Sequence, residues 1–478
     1  MHRCLGRHLG RRSGTAAGYR RTVGLSLVAV LAAAGVAACS SSGSTSGSAA
    51  SGGHVTFSID CAPNSTDAVL HKAWIQDVAI FEKQNPNITV NSIWAGAQCE
   101  VPATFTAQLD AGTESNVYYA YFTDLDQILL AGQAADLTPY INSSTIPLWN
   151  DIVPSARKAY TAGTTIYGIP TSNYDQGLIY NRALFTKAGL NPNDPPTTWA
   201  QVEADATAIA KLGNGIWGFG DYSSQNDGGW HFSSYVDAQG QTMVNSAGTT
   251  ASFDTPQSEA ILQALHTMRF TDHAMSPTQG LAWGTLQKQM AAGKLGMYIA
   301  APDDIYNQIV PVDGGNINDI GMGPLPSTSG SPAGSLSGGN GYVFAKRDTP
   351  AQIEAGIKFI NFEDLTIGQG QFNYARLKAD GYIVGFPEPE LFDGSADTAY
   401  QASLDKSATI NVSYYAPFYA PFKNGTEQSI PEPTDAQAVY KSLDPAMLAV
   451  LTDPNANIPQ LLKTAAANVN TILANSSG

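Results

Sequence analysis

Between Val55 and Tyr167 the chain alternates short apolar runs with longer amphipathic ones, and this rhythm restricts its fold more than any other feature. Val55–Asp60 has the length of a strand. Over Thr66–Lys83 the residues Val69, Leu70, Ala73, Trp74, Val78 and Phe81 fall on one helical face. Ile88–Trp94 predicts a second strand, Pro102–Ala111 a helix and Val117–Phe122 a third strand. Such alternation predicts an α/β unit with a largely parallel sheet. From Leu178 the texture turns helical. Thr198-Trp199-Ala200-Gln201 is a capping box opening a helix over Trp199–Leu212. Thr349-Pro350-Ala351-Gln352 repeats the device, with Pro at the first helical position, ahead of a helix to Glu363. Between them Leu295–Ile299 and Tyr342–Ala345 read as buried strands. A length of 478 residues favours two or more lobes over one compact core. No internal repeat and no second low-complexity linker divides them, so the chain is expected to cross between lobes without a clean boundary.

Charge narrows the partners. Only 14% of residues are charged, against about a quarter in an average soluble domain. The formal net charge of −15 is unevenly spread, because residues 1–38 hold six arginines and no acid. The remaining chain has 19 basic against 40 acidic residues, a net of −21. Such a surface repels phosphate backbones, so a nucleic-acid partner is excluded. A hydrophobic share of 43% excludes wholesale disorder.

The first 38 residues read as a signal peptide. A basic segment, 1–22, precedes Val23–Ala38, an apolar run of about 16 residues, short of the roughly 20 that a spanning helix needs. An uncleaved anchor is the competing reading. Val36-Ala37-Ala38-Cys39 resembles the bacterial lipobox, which makes Cys39 the expected lipidated (palmitate-bearing) N-terminus. Residues 39–53, nearly all Ser, Gly, Ala and Thr, then form a flexible tether. Cys4 leaves with the signal, so Cys61 and Cys99 remain, an even pair that reads as a disulfide in an exported chain. Two buried free thiols are the alternative.

An ordered set of segments carries a resemblance. Ile166-Tyr167-Gly168-Ile169-Pro170 is followed by Gly177-Leu178-Ile179-Tyr180-Asn181-Arg182, then Leu184-Phe185-Thr186-Lys187-Ala188-Gly189-Leu190, then Pro195-Pro196-Thr197-Thr198-Trp199. Gln289–Met297, Pro324-Leu325-Pro326 and Gly338-Gly339-Asn340-Gly341 continue it. In this order the segments resemble the extracellular solute-binding proteins (family 1, the maltose-binding-protein-like group) of bacterial carbohydrate ABC importers, over nearly all of residues 55–475. The resemblance implies a two-lobed α/β fold of the periplasmic-binding-protein type (type II), with crossing segments and a ligand cleft between lobes. The lobes are expected at about 54–165 plus 301–345 and 166–300 plus 346–478. It further implies a sugar ligand, capture by hinge closure, delivery to permease subunits with a separate ATPase, and a monomer held to the outer face of the cytoplasmic membrane by its lipid alone.

Sugars present apolar C–H faces and rings of hydroxyls, so their sites need flat aromatics and carboxylates or amides at the edge. Loops at strand ends facing the cleft should supply them. Tyr121 and Asp124 follow the third strand, and Asp124 is equally an N-cap for the segment from Leu125. Asn173 and Tyr174 lie after the crossing turn, and Tyr174 stands where the maltose-binding group places a carboxylate. Asn226 and Trp230 belong to the Asp221–His231 loop, where Trp230 is either a platform or the first core residue of a helix. Trp283 aligns with an aromatic near the family's site. Asp303 replaces the family's usual tryptophan, or caps a helix over Asp304–Val310. Gly338, Gly339 and Asn340 resemble a glycine-rich cleft loop that lets solute approach backbone. Tyr414 and Tyr415 are weaker candidates for closing the pocket.

Other chemistries lack their residues. Gly213-Asn214-Gly215-Ile216-Trp217-Gly218 matches a dinucleotide fingerprint but follows a helix, which makes Gly213 a helix C-cap. No Gly-x-x-x-x-Gly-Lys-Ser/Thr loop occurs, the seven histidines show no metal spacing, and no Gly-x-Ser-x-Gly elbow is present. No cofactor, metal or catalytic residue is therefore expected. Two rivals remain: a binding lipoprotein of similar fold for a polyamine or other small polar solute, and a secreted glycoside hydrolase using Asp124 with Asp303.

Overall fold

The alternation at the start of the chain builds a parallel sheet. The computed structural model describes residues 53–94, 102–386 and 391–476. The signal, Cys39, the tether to Gly52 and Cys99, with its expected bond to Cys61, lie outside these residues. Strands β1 (Val55–Ala62), β2 (Ile88–Trp94) and β3 (Val117–Tyr121) pair in parallel, β1 lying between the other two. Helix α1 (Ala68–Gln84) joins the first pair, and the Asp67 carboxylate caps it by accepting the Leu70 N–H at 3.0 Å. A short hairpin, β4 (Thr161–Ala162) with β5 (Thr165–Ile166), leads to β6 (Gly168–Asp175).

One residue later the chain changes sheets. Strand β7 (Gly177–Asn181) pairs antiparallel with β9 (Leu295–Ala300), which pairs parallel with β8 (Trp217–Phe219). Strand β10 (Ile320–Gly323) closes this second sheet against β7, although the sequence places it within 301–345 of the first lobe. The chain returns along β11 (Gly334–Phe344), which pairs with β6, β3 and finally β12 (Gln428–Pro431). Leu336 of β11 is buried in one core while Tyr342 and Phe344 are buried in the other. Strands β6 and β11 thus run side by side from lobe to lobe. At the crossing, Gln176 is fully buried, and its carbonyl accepts from Ser335 Oγ while its N–H donates to the same oxygen, both at 2.8 Å.

Four helices matter for the site besides α1: α2 (Asp227–Ala238), α3 (Thr285–Ala291), α4 (Pro350–Asp364) and α5 (Ala436–Thr452). Both expected capping boxes form, at Thr198/Gln201 and Thr349/Gln352. Gly213 takes a left-handed φ of +70° just past the helix end, so the apparent fingerprint is a turn. Helix α4 packs on the first core, where Phe359 meets the rings of Phe57, Trp74 and Phe81. Its apolar face therefore belongs with β1, although the sequence alone groups it with the second lobe.

Candidate functional site

Between the lobes lies a cavity of about 760 Å³, within the range of roughly 300–1,000 Å³ typical of small-molecule sites. Tyr121, Asn173, Tyr174, Asn226, Trp230, Trp283, Asp303 and Asn340 line it, so eight of the ten residues singled out from the sequence are brought together there. A larger cavity of about 1310 Å³ runs along the same crossing strands, but Asn173 alone of those ten lines it.

Trp283 is the most completely positioned aromatic of the cleft. It precedes α3 and keeps 39% of its surface exposed. Its backbone N–H donates to Asp227 Oδ2 at 2.7 Å, and its indole N–H donates to Asp304 Oδ1 at 3.0 Å. Asp304 is itself held by Gln287 Nε2 at 2.7 Å and Tyr298 OH at 2.8 Å on Oδ2. Tyr222 OH and the Gly284 N–H in turn donate to Gln287 Oε1. This largely buried hydrogen-bonded network fixes the ring plane before any ligand arrives. Burial, then the charge of Asp303, raises the Asp304 carboxyl, and burial raises Asp303 as well. Asp303 is half-buried on the cleft wall, one residue ahead of the short π-helix Asp304–Ile309.

Further parts of the cleft come from β6, α2 and α5. The Tyr174 ring meets Trp230 edge-on at 6.1 Å and 81°, and Trp230 packs on both cores of the second lobe while lining the cavity. Core packing and a place on the cavity wall therefore belong to one side chain. Ahead of α2, Gln225 and Asn226 take left-handed φ values of +59° and +76°, a conformation costing of order 1 kcal/mol each. Asp444 on α5 holds them there by accepting the Asn226 and Gly229 N–H groups at 2.8 and 3.2 Å. Asn226 Nδ2 donates to Gln437 Oε1 at 2.9 Å, and Gln437 Nε2 donates to Thr123 Oγ1 at 3.2 Å, which links the lobes across the cleft.

Two sequence candidates do not line the cavity. Asp124 is buried, and its carboxylate accepts the Tyr121 N–H at 2.8 Å and Gln127 Nε2 at 2.9 Å. Its oxygens close the short turn Phe122–Asp124 back onto Tyr121. Although Asp124 stands at the N-cap position of the helix from Leu125, its side chain makes no capping bond there, so the expected cap does not form. Gly339 is occupied by the protein itself: a Cβ there would stand 2.4 Å from the Ser172 carbonyl and 2.5 Å from the Phe122 ring. At Gly338 the Tyr174 hydroxyl fills the same space at 2.3 Å. The glycines admit neighbouring chain rather than leave backbone bare. Tyr415 is buried in the core, and Tyr414 lies under the Arg182 guanidinium at 3.6 Å.

Sequence reasoning missed the walls supplied by 363–382 and 432–440. Glu432, between Pro431 and Pro433, accepts the Tyr440 hydroxyl at 3.1 Å, and burial pushes its carboxyl up to about 8. An acid between two prolines was the local signal for it. Of the described lining residues eight are acidic and one, Arg376, is basic. Burial also raises Asp60, Asp124 and Asp175 to about 7. Each of these folded-state values lies above that of an unfolded carboxyl, so the folded chain holds more protons between about pH 4 and pH 8. Stability is then fully present near pH 4 and lost as pH rises. The ligand-free chain is expected to melt about 5 °C or more lower at pH 8 than at pH 5, a shift calorimetry resolves easily. A melting temperature that rises over this interval would contradict the buried-acid assignment.

Similarity places this cleft among known proteins. The sequence model of one family, bacterial extracellular solute-binding protein, matches residues 62–362. A Brucella abortus (strain 2308) protein named only as a binding protein is 26% identical over 231 residues, 48% of this chain and 54% of that protein. The chain thus spans about half the length of the curated relatives it matches. An ABC transporter solute-binding protein from Thermotoga lettingae, solved with α-D-tagatose, superposes with a TM-score of 0.71 at 19% identity, over 87% of this chain and 99% of that one. Maltose-bound MalE3 of Thermotoga maritima gives 0.64 at 18%, over 87% and 99%. UgpB from Mycobacterium tuberculosis, in complex with glycerophosphocholine, gives 0.67 at 16%, over 89% and 100%. The fold is the two-lobed α/β architecture of these proteins, and with the family's sequence model matching well over half of its residues the chain belongs to the bacterial extracellular solute-binding proteins.

Proposed function

We propose that this chain captures a sugar, a mono- or oligosaccharide, by closing its two lobes around it, and delivers it to a membrane permease driven by a separate ATPase. The observation that carries this reading is Trp283, held at both its backbone and its indole N–H with a face left open to the cleft. A fixed indole suits the C–H face of a sugar, while Asp303, Asn173 and Asn340 offer acceptors and donors for hydroxyls at its edge. Ligand contacts from both lobes favour the closed population, and that differential affinity is what a permease reads. For a micromolar ligand about 8 kcal/mol is available to drive it.

The chain acts as a binding protein, not an enzyme. A glycoside hydrolase would need two free carboxyls flanking the bond, whereas Asp124 is engaged by Tyr121 and Gln127. The basic segment, apolar run and Cys39 support an exported lipoprotein tethered outside the cytoplasmic membrane. Among the described residues no helix is long and apolar enough to cross a membrane. We further infer that Cys61 bonds Cys99. A thermal-shift panel tests the carbohydrate reading: one or more neutral mono- or oligosaccharides should raise the melting temperature by several degrees. A broad panel with no shift, beside a polyamine that gives one, would overturn it.

A further inference from the structure

The first-lobe wall carries a feature that a neutral sugar does not require. Helix α4 ends on Glu363 and Asp364, which line the cavity and are 5% and 7% exposed. Glu363 Oε2 and Asp364 Oδ2 receive no hydrogen bond. Both acids stand at the helix C-terminus, the negative end of its dipole, where a cation is favoured and a carboxylate is not. The cavity's one basic side chain relieves them only in part: its charge lowers the Glu363 carboxyl, but it gives neither acid a hydrogen bond. Arg376 clasps both oxygens of Asp77 and donates from Nη2 to the Gly370 carbonyl at 3.1 Å, while its Nε is buried without a partner. Two buried, adjacent carboxyls on the cavity wall are thereby left with unused acceptor capacity. Burial, followed by the charge of Asp77, raises both, Asp364 to about 8, an arrangement that costs free energy until a donor arrives. A metal ion is a poor occupant, since no group of three or more His, Cys, Asp and Glu among the described residues could hold one. An ammonium suits better, because it brings three donors and a positive charge. Tyr342 and Tyr374 line the same wall and offer ring faces to a cation.

We propose that Glu363 and Asp364 form an ammonium subsite, so that the captured solute carries a protonated amine beside its hydroxyls, as an amino sugar does. This rests on the carbohydrate reading and narrows it. Phosphorylated and carboxylated sugars are rejected by the same wall, since their charge would meet the acids without a partner.

Isothermal titration of the purified chain at pH 7 with matched pairs tests it: D-glucosamine against N-acetyl-D-glucosamine, and chitosan disaccharide against its N-acetylated form. Neutral maltose and spermidine complete the set. The amine should bind at least ten-fold tighter than its acetylated partner, and E363Q/D364N should erase that preference. Equal affinities in the parent, or a preference surviving in the variant, overturns the subsite. Should the double variant fail to melt cooperatively, E363Q and D364N singly supply the same readout. Neutral sugars binding without any amine preference removes the subsite and keeps the carbohydrate reading. Spermidine binding alone, abolished by the variant, removes the carbohydrate reading and keeps the subsite. No binding by any probe counts against both.

Discussion

Trp283→Ala is expected to weaken binding of the cognate carbohydrate about 30-fold or more, the roughly 2 kcal/mol that a well-fixed aromatic anchor contributes. The argument is one of preorganisation. An indole that is free to rotate must be ordered when the ligand binds, and part of the stacking energy is spent on that order. Here the ordering is complete beforehand, since Asp227 holds the backbone and Asp304 holds the ring. Asp304→Ala should therefore reproduce part of the loss, about ten-fold, without touching the ligand. Because Trp283 is 39% exposed, its removal should change the melting temperature of the empty chain little. Titration calorimetry on both variants decides the matter. An affinity within three-fold of the parent for Trp283→Ala would remove the indole from the site.

Gly341→Ala is expected to cost about 4 kcal/mol or more, or to prevent folding, which places it among the rare severe substitutions. A Cβ at Gly341 would lie 2.1 Å from the Ile169 carbonyl and 2.8 Å from the Pro170 Cα. Both obstacles are backbone, so no rotamer change relieves them. The clash falls where β11 pairs with β6 on one side and with β3 on the other, so separating the strands also disrupts the first sheet. Gly53→Ala is the control, because nothing stands within 4 Å of its Cβ. Chemical denaturation of the two variants makes the comparison, and a Gly341→Ala chain within 1 kcal/mol of the parent would show that the hinge pair can yield.

Much of the first lobe was legible because its signals are local. An apolar stripe at helical spacing, a capping box or a run of β-formers is decided by residues within a few positions of one another. Strands β1, β2 and β3 and the caps at Thr198 and Thr349 all follow from such patterns. Assignment of α4 and β10 to lobes was not legible, because an amphipathic face does not name its partner. Phe359 could have packed on either core, and only its contacts with Phe57, Trp74 and Phe81 decide.

The candidate site divides along the same line. Residue type and position at strand ends were enough to nominate Trp283, Trp230, Tyr174 and Asp303, since aromatics and acids in such loops have few structural uses. Whether a given oxygen is available is a different question, answered by its donors. Asp124 and Asp304 are both buried acids near the cleft, yet one is engaged by its own turn and the other by the indole it aims. The sequence by itself determined the α/β class, the net acidity of the chain beyond its arginine-rich start and the family's ordered motifs, all of which depend on composition or near neighbours. Only the tertiary structure decided which side chains meet across the cleft, which glycines are filled by neighbouring chain, and that Glu363 and Asp364 are buried in its wall with an oxygen of each lacking a donor. Those outcomes depend on segments more than a hundred residues apart, whose encounter is governed by packing that no local pattern encodes.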